Sequence, residues 1–367
     1  MRTNPFKFGT IVADEYFTDR RDEVKYVLNF LNGPNHLLIS SPRRFGKSSL
    51  ILKCVKQLDN PWIYMDLQLI TSINDFASQL LRRIYHRFPI SKIKSKIKSF
   101  RVLPQINVNP LTNDYSVSFQ PTSDHSLILE DIFNLIDELS LKKKIIFIFD
   151  EFQEIIKLGS GFDKQLRAHM QHLNYVNFIF LGSRESLVRD IFSKKNSPFY
   201  HFASLMQLGK IPSSEFHDYI TEGLLSLTKN ARFLSEEIVK MSQAHPYFTQ
   251  QLAAALWQEI VLFGEKTDSL KNAFDNVVNQ HDNDYERLWN TFNKTDKKIL
   301  LSMAYGNAKP LSENSINSLN IGAPSTVFSS LKRLIESSYI LKINDQYELE
   351  DPFFKSWIIL RRSDFLN

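Results

Sequence analysis

The chain has one cysteine, Cys54, in 367 residues. That excludes an internal disulfide and fits a reducing compartment. Cys54 falls within a helical pattern and reads as a small core residue rather than a reactive thiol. The nine histidines are scattered and never fall at metal-ligand spacing, so no protein-built metal centre is expected. No run of 18 or more apolar residues occurs, which excludes a membrane-spanning helix. The start, Met1-Arg2-Thr3-Asn4-Pro5, lacks the apolar core of a signal peptide. A cytoplasmic location with no membrane partner is therefore expected. Neither a short internal repeat nor a low-complexity tract appears.

What is there is an ordinary globular composition, 43% hydrophobic, on a chain too long for one typical core. Two or three domains are expected. A net charge of +5 permits nucleic-acid contact without requiring it. Acids are missing from one stretch, Arg82 to Arg101, which carries eight Lys or Arg. Within it Lys92, Lys94, Lys96 and Lys98 alternate with Ile93, Ser95, Ile97 and Ser99. Extended, that pattern puts the lysines on one face, either a phosphate-binding edge or a solvated edge that blocks aggregation.

The densest signal is Ser40-Ser41-Pro42-Arg43-Arg44-Phe45-Gly46-Lys47-Ser48-Ser49-Leu50. An apolar run, His36 to Ile39, precedes it and a helical pattern follows. Strand, tight loop and helix N-terminus together make an anion site, because loop N–H groups and the helix dipole converge there. Lys47 would reach outer phosphates and Ser48 would offer its hydroxyl to Mg²⁺. The phosphate-loop pattern G-x-x-x-x-G-K-[ST] asks for glycine where this chain has Ser41.

A partner motif is Ile145-Ile146-Phe147-Ile148-Phe149-Asp150-Glu151. A continuous apolar run of strand length suits the centre of a parallel sheet covered on both faces. Its two terminal acids then lie at the carboxyl edge, where ligands of open α/β sheets bind. Asp150 fits the carboxylate that supports Mg²⁺, and Glu151 the one that polarises attacking water. Alternatively, the pair is a solvated cap on a buried strand.

Elsewhere the α/β alternation continues. A helix carrying Val24, Val27, Leu28 and Leu31 has Thr18 or Asp19 as its cap. Trp62–Leu67 is a strand, residues 74–88 a helix, and Val102–Val108 with Tyr115–Phe119 an inserted hairpin around Pro110 to Asp114. Helices at 126–140 and about 161–173 and strands at Val176–Leu181 and Met206–Leu208 follow. Residues 213–290 read almost entirely as helices. From Thr295 the pattern is three helices (the second Ser312–Leu319, the third Ser325–Ser338) and a hairpin turning at Asn344-Asp345, which is a winged helix. The expected fold class is α/β: a P-loop NTPase parallel-sheet core (1–210, with residues 89–123 inserted), a small helical lid (211–290) and a winged-helix domain (291–367).

With those residues in hand, the chain resembles the prokaryotic "archaeal ATPase" family of AAA-like and STAND-type P-loop ATPases. The matching stretches are Asn4-Pro5-Phe6, Phe17 to Glu23, Ser41 to Leu50, Phe149-Asp150-Glu151-Phe152, Gly182 to Ser186 and His245-Pro246-Tyr247-Phe248. The resemblance implies ATP or ADP with Mg²⁺ as ligands. It implies nucleotide contacts from Pro42, Arg43, Arg44, Phe45, Gly46, Lys47, Ser48 and Ser49, and adenine contacts near Phe17 and Arg20. Ser183 falls where relatives carry a polar sensor near the γ-phosphate, and Arg184 matches an arginine suited to forked phosphate contact. Arg184, Lys47 and Glu151 form the expected catalytic set; Ser48 and Asp150 are the expected Mg²⁺ ligands. His245-Pro246 matches a signature at the start of a lid helix, a structural cap or a phosphate contact. Arg167 is a helix-face arginine or one that acts across a subunit interface. Relatives often have arginine where His201 stands, which would weaken hydrolysis here.

Three functions remain open. A slow ATP-hydrolysing switch would move its lid and winged helix with bound nucleotide, answering to a protein partner or to self-association. A DNA-binding ATPase would read DNA through the winged helix or residues 82–101. However, residues 291–367 hold ten basic and eight acidic residues, a thin footprint for DNA. A non-hydrolysing ATP-binding scaffold is the third.

Overall fold

The computed structural model describes residues 3–12, 16–17, 20–108, 115–120, 124–183, 185–312, 315, 323–343 and 346–362, with backbone alone for 90–92 and 185–186. The chain divides into two compact units. Arg21–Ser41 and Lys47–Leu208 form a sheet unit; Met1–Arg20, Pro42–Gly46 and Gly209–Asn367 form a helical unit.

The sheet unit contains strands β1 (Leu37–Ser40), β2 (Trp62–Asp66), β3 (Gln105–Val108), β4 (Tyr115–Ser118), β5 (Ile145–Asp150), β6 (Val176–Gly182) and β7 (Ser204–Gln207). Its helices are α1 (Arg21–Asn32), α2 (Lys47–Val55), α3 (Ile73–Arg87), α4 (Ile90–Ile97), α5 (His125–Ser140), α6 (Phe162–Met170) and α7 (Glu185–Ser193). Five strands make one parallel sheet in the order β2-β5-β6-β1-β7. Every residue of β1, β5 and β6 is buried, which explains their unbroken apolar runs. Phe147 and Phe149, two apart on β5, share a face with Phe178 and Phe180 of β6, and Phe152, Phe192 and Phe199 complete this aromatic core. Burying each such ring contributes about 2 kcal/mol. Cys54 is fully buried on α2, and burial pushes its thiol up to about 12, so it packs as the sequence indicated.

β3 and β4 pair antiparallel, as the hairpin pattern requires; its turn at Pro110 to Asp114 lies outside the described residues, as do Thr18 and Asp19. The basic stretch departs from expectation. Residues 92–97 are not extended but belong to α4. Ile93 and Ile97, four apart, are both buried, and that helical spacing wins over simple alternation. Lys94 and Lys98 stay exposed, and Lys96 pairs with Glu138.

The helical unit has α8 (Ser213–Leu224), α9 (Ala231–Met241), α10 (Pro246–Phe263), α11 (Ser269–Gln280), α12 (Asp282–Thr291), α13 (Lys294–Ala304) and α14 (Pro324–Glu336). The antiparallel pair β8 (Ile340–Ile343) and β9 (Gln346–Leu349) and a final helix α15 (Pro352–Arg361) follow. Most of the helix expected at Ser312–Leu319, and the Asn344-Asp345 turn, lie outside the described residues. The sequence reading contained no α15. Asp351 caps it, accepting from the N–H groups of Phe353 and Phe354 at 2.8 and 3.0 Å, and Pro352 occupies its first turn.

Candidate functional site

Parallel order places the carboxyl ends of β1, β5 and β6 side by side, so Ser40-Ser41, Asp150-Glu151 and Gly182-Ser183 share one sheet edge. Lys47, the first residue of α2, is buried and turns back on the strand that precedes it. Its Nζ donates to the Ser41 carbonyl at 2.9 Å and lies 3.3 Å from the Ser41 hydroxyl. Ser41 is not among the residues with left-handed backbone. The position therefore does not demand glycine, and serine adds an oxygen beside the lysine.

Ser48 donates its hydroxyl to Asp150 Oδ2 at 2.6 Å, and Tyr64 donates to the same oxygen. Tyr64 lies on β2 in register with Ile148 of β5. Its hydroxyl is held protonated by burial first and by the Asp150 charge second. Asp66, paired with Asp150 across the strands, is raised by burial and by the charges of Asp150 and Glu151. The edge thus gathers hard oxygen donors of the kind Mg²⁺ takes. Among the described residues no group of three or more His, Cys, Asp or Glu is arranged to hold a metal ion by itself.

Glu151 has φ 52° and ψ 46°, a left-handed backbone that costs a non-glycine residue energy and is found most often at functional sites. The buried Phe152 ring, 4.4 Å from Phe180, anchors the turn. The Glu151 carboxylate accepts from Ser183 Oγ at 2.5 Å and from Gln153 Nε2. Gly182, just before Ser183, lacks a Cβ because Val188 of α7 would collide with it. Arg184, the expected phosphate-sensing arginine, lies outside the described residues. Ser49 is half-buried on α2.

In the helical unit, Arg44 (φ 65°) and Gly46 (φ 88°) take left-handed backbone. The exposed Arg44 places its guanidinium 4.6 Å from the Tyr247 ring centre. Arg43 is exposed and Pro42 half-buried. Phe45, 2% exposed, meets the His245 ring edge-on at 4.8 Å. Arg20, buried with φ 36°, donates from Nη2 to the carbonyls of Phe45 and Gly209, both at 2.9 Å. It therefore holds the backbone at both of these points. Phe17 is half-buried nearby in sequence. His245 caps α10 through Nδ1, which accepts the Tyr247 N–H at 3.2 Å, and Pro246 takes the first helical position.

Sequence reasoning missed Tyr64 and Gln153. Tyr64 sits mid-strand and only strand order reveals its target, whereas Gln153 meets Glu151 two residues before it, a local signal within the turn. Arg167 packs over Phe202 at 4.0 Å and donates to Gln171 at 3.0 Å. It lines a cavity of about 830 Å³ with His36, Arg189, His201 and Phe202, along β1 and β7. Lys47, Ser48, Asp150 and Glu151 are not among its walls.

Residues 283–360 match the family described as a probable winged helix domain. By structure the chain is similar to a Walker-type ATPase of Pyrococcus abyssi, with TM-score 0.70 and 19% identity over 97% of this chain and 99% of that one. It is also similar to the ORC2 protein of Aeropyrum pernix. The ADP form aligns at TM-score 0.55 and 14% identity over 99% and 97% of the two chains. The form with ADPNP and ADP aligns at 0.51 and 14% over 98% of each. No curated protein matches by sequence. The chain therefore has the α/β fold of Walker-type P-loop ATPases followed by a winged helix, in line with its resemblance to the archaeal ATPase family.

Proposed function

We propose that the protein binds ATP with Mg²⁺ and hydrolyses it slowly, as a STAND-like nucleotide-controlled switch with a core (1–210), a lid (211–290) and a winged helix (291–367). The observation that carries this reading is the Ser48–Asp150 hydrogen bond of 2.6 Å beside Glu151, itself gripped by Ser183. Loop N–H groups and Lys47 would hold the phosphates. Mg²⁺, when bound, would take the Ser48 and Asp150 oxygens and neutralise charge on the phosphates. Glu151 would orient water and accept its proton, and Ser183 would keep the carboxylate aimed. Lys47, now resting on Ser41, would exchange that contact for phosphate oxygens.

The winged helix supports a protein-facing role better than a DNA-reading one. The exposed face of α14 presents Phe328, 60% exposed, with Ser325, Thr326 and Ser329. Its two cations are paired, Arg333 with Asp296 at 2.5 Å and Lys332 with Glu336 at 4.0 Å. Phosphate neutralisation, which dominates affinity for DNA, has little to work with. The test is steady-state ATP turnover with and without duplex DNA at low salt, with Glu151→Gln as the blank. Slow turnover, lost in the variant and unmoved by DNA, is expected. Stimulation by DNA would promote the DNA reading. Equal silence of both proteins would remove the enzyme reading.

A further inference from the structure

His245 is 1% exposed, and both its ring nitrogens can be assigned. Nδ1 accepts the Tyr247 N–H at 3.2 Å, so a neutral ring carries its hydrogen on Nε2. Burial, more than any neighbouring charge, keeps the ring neutral. Nε2 is buried, makes no hydrogen bond of good geometry among the described residues, and lies 3.5 Å from Glu350 Oε1. A buried donor in that state is costly, and 3.5 Å is too long for a formed bond. The opposite side of the same ring touches Phe45 of the phosphate loop.

Glu350 is well placed to pass on a displacement. It follows β9 directly, and its N–H donates to the Tyr339 carbonyl at 3.1 Å, just before β8. Asp351, its neighbour, caps α15 and accepts from Tyr285 of α12 at 2.9 Å. Two residues before it, Glu348 pairs with Lys210 at 2.6 Å. A shift of less than 1 Å would turn the His245–Glu350 approach into a hydrogen bond to a charged acceptor, the stronger kind. The groups around His245 are Arg44 and Lys210, which disfavour its protonation, and Glu350, which favours it.

Building on the nucleotide-switch reading above, we propose that His245 is the positioning residue that couples the phosphate loop to the winged helix. Nucleotide moves the loop tip through Phe45, the ring follows, and the Nε2–Glu350 contact closes in one nucleotide state and opens in the other. A ligand shifts such an equilibrium only through contacts that differ between the states. This contact, half-made in the present structure, is of that kind.

The experiment is amide hydrogen exchange across residues 339–361 in the full-length protein, with and without Mg²⁺-ATP, alongside titration with a fluorescent ATP analogue. In wild type, nucleotide should change exchange in β8, β9 and α15 at least fivefold. Glu350→Gln should cut that change to less than twofold and leave nucleotide affinity within threefold. Glu348→Gln, which breaks the adjacent Lys210 pair, should preserve the response. Thermal unfolding of both variants checks that the fold is retained, and Phe45→Leu, cutting the link from the loop side, should suppress the response as Glu350→Gln does. A full response in Glu350→Gln or Phe45→Leu overturns the coupling but leaves the switch reading standing. Failure of wild type to bind the analogue overturns both.

Discussion

The carboxylate of Glu151, on a left-handed turn after β5, accepts the hydroxyl of Ser183 at 2.5 Å from the end of the neighbouring β6. Two strand ends thereby hold one carboxylate in a fixed orientation. Glu151→Gln should lower ATP turnover about 100-fold or more, the usual contribution of a positioned proton acceptor. Ser183→Ala should lower kcat about tenfold while the KM for ATP stays within threefold. That split marks a positioning role, and a rise in KM with unchanged kcat would contradict it.

Tyr64 and Ser48 both donate to Asp150 Oδ2. Groups that orient a metal-binding carboxylate typically change metal affinity 10–100-fold when lost. Tyr64→Phe should therefore raise the Mg²⁺ concentration for half-maximal turnover about tenfold. Magnesium titrations of both proteins at saturating ATP would show it, and coincident curves would exclude the role.

Arg20 supplies one guanidinium to two loop carbonyls, of Phe45 and Gly209. Arg20→Met leaves both without that donor and should cost about 3 kcal/mol of stability. Urea unfolding of the helical unit's transition measures this. Lysine, whose compact ammonium sits on a stem of different reach and is more strongly hydrated, should rescue less than half of the loss.

Burial is the main cause lifting the Asp351 carboxyl from 3.8 to about 6. The folded protein then holds a proton that the unfolded chain releases between those values. Stability from this group is thus full at low pH, falls as pH rises through 4 to 6, and stays low above. Asp351→Asn should gain about 2 kcal/mol on the wild type between pH 4 and pH 7. Denaturant midpoints across that range would test the sign; parallel curves would refute it.

Much of this was legible in the residues. The phosphate loop, the Asp150-Glu151 strand end and the winged helix carry local signals, because each depends on spacing within one element. The lysine stretch misled for the same reason. Alternation and helical spacing coexist at Ile93 to Lys98, and only burial of Ile93 and Ile97 on the core selects the helix. At Ser41, where the sequence pattern asks for glycine, the backbone is not left-handed and does not need one.

The sequence by itself determined which strands would be buried, where the chain would make its tight loop between β1 and α2, and which acids would end β5. Hydrophobic runs and turn chemistry act over a few residues and need no knowledge of the fold. The tertiary structure alone decided that Tyr64 meets Asp150, that Ser183 holds Glu151, that Arg20 clasps the loop backbone and that His245 faces Glu350. Those partners lie 32 to 105 residues apart along the chain or, for Arg20 and Phe45, 25. Strand order and helix packing bring them together, and no local pattern encodes either.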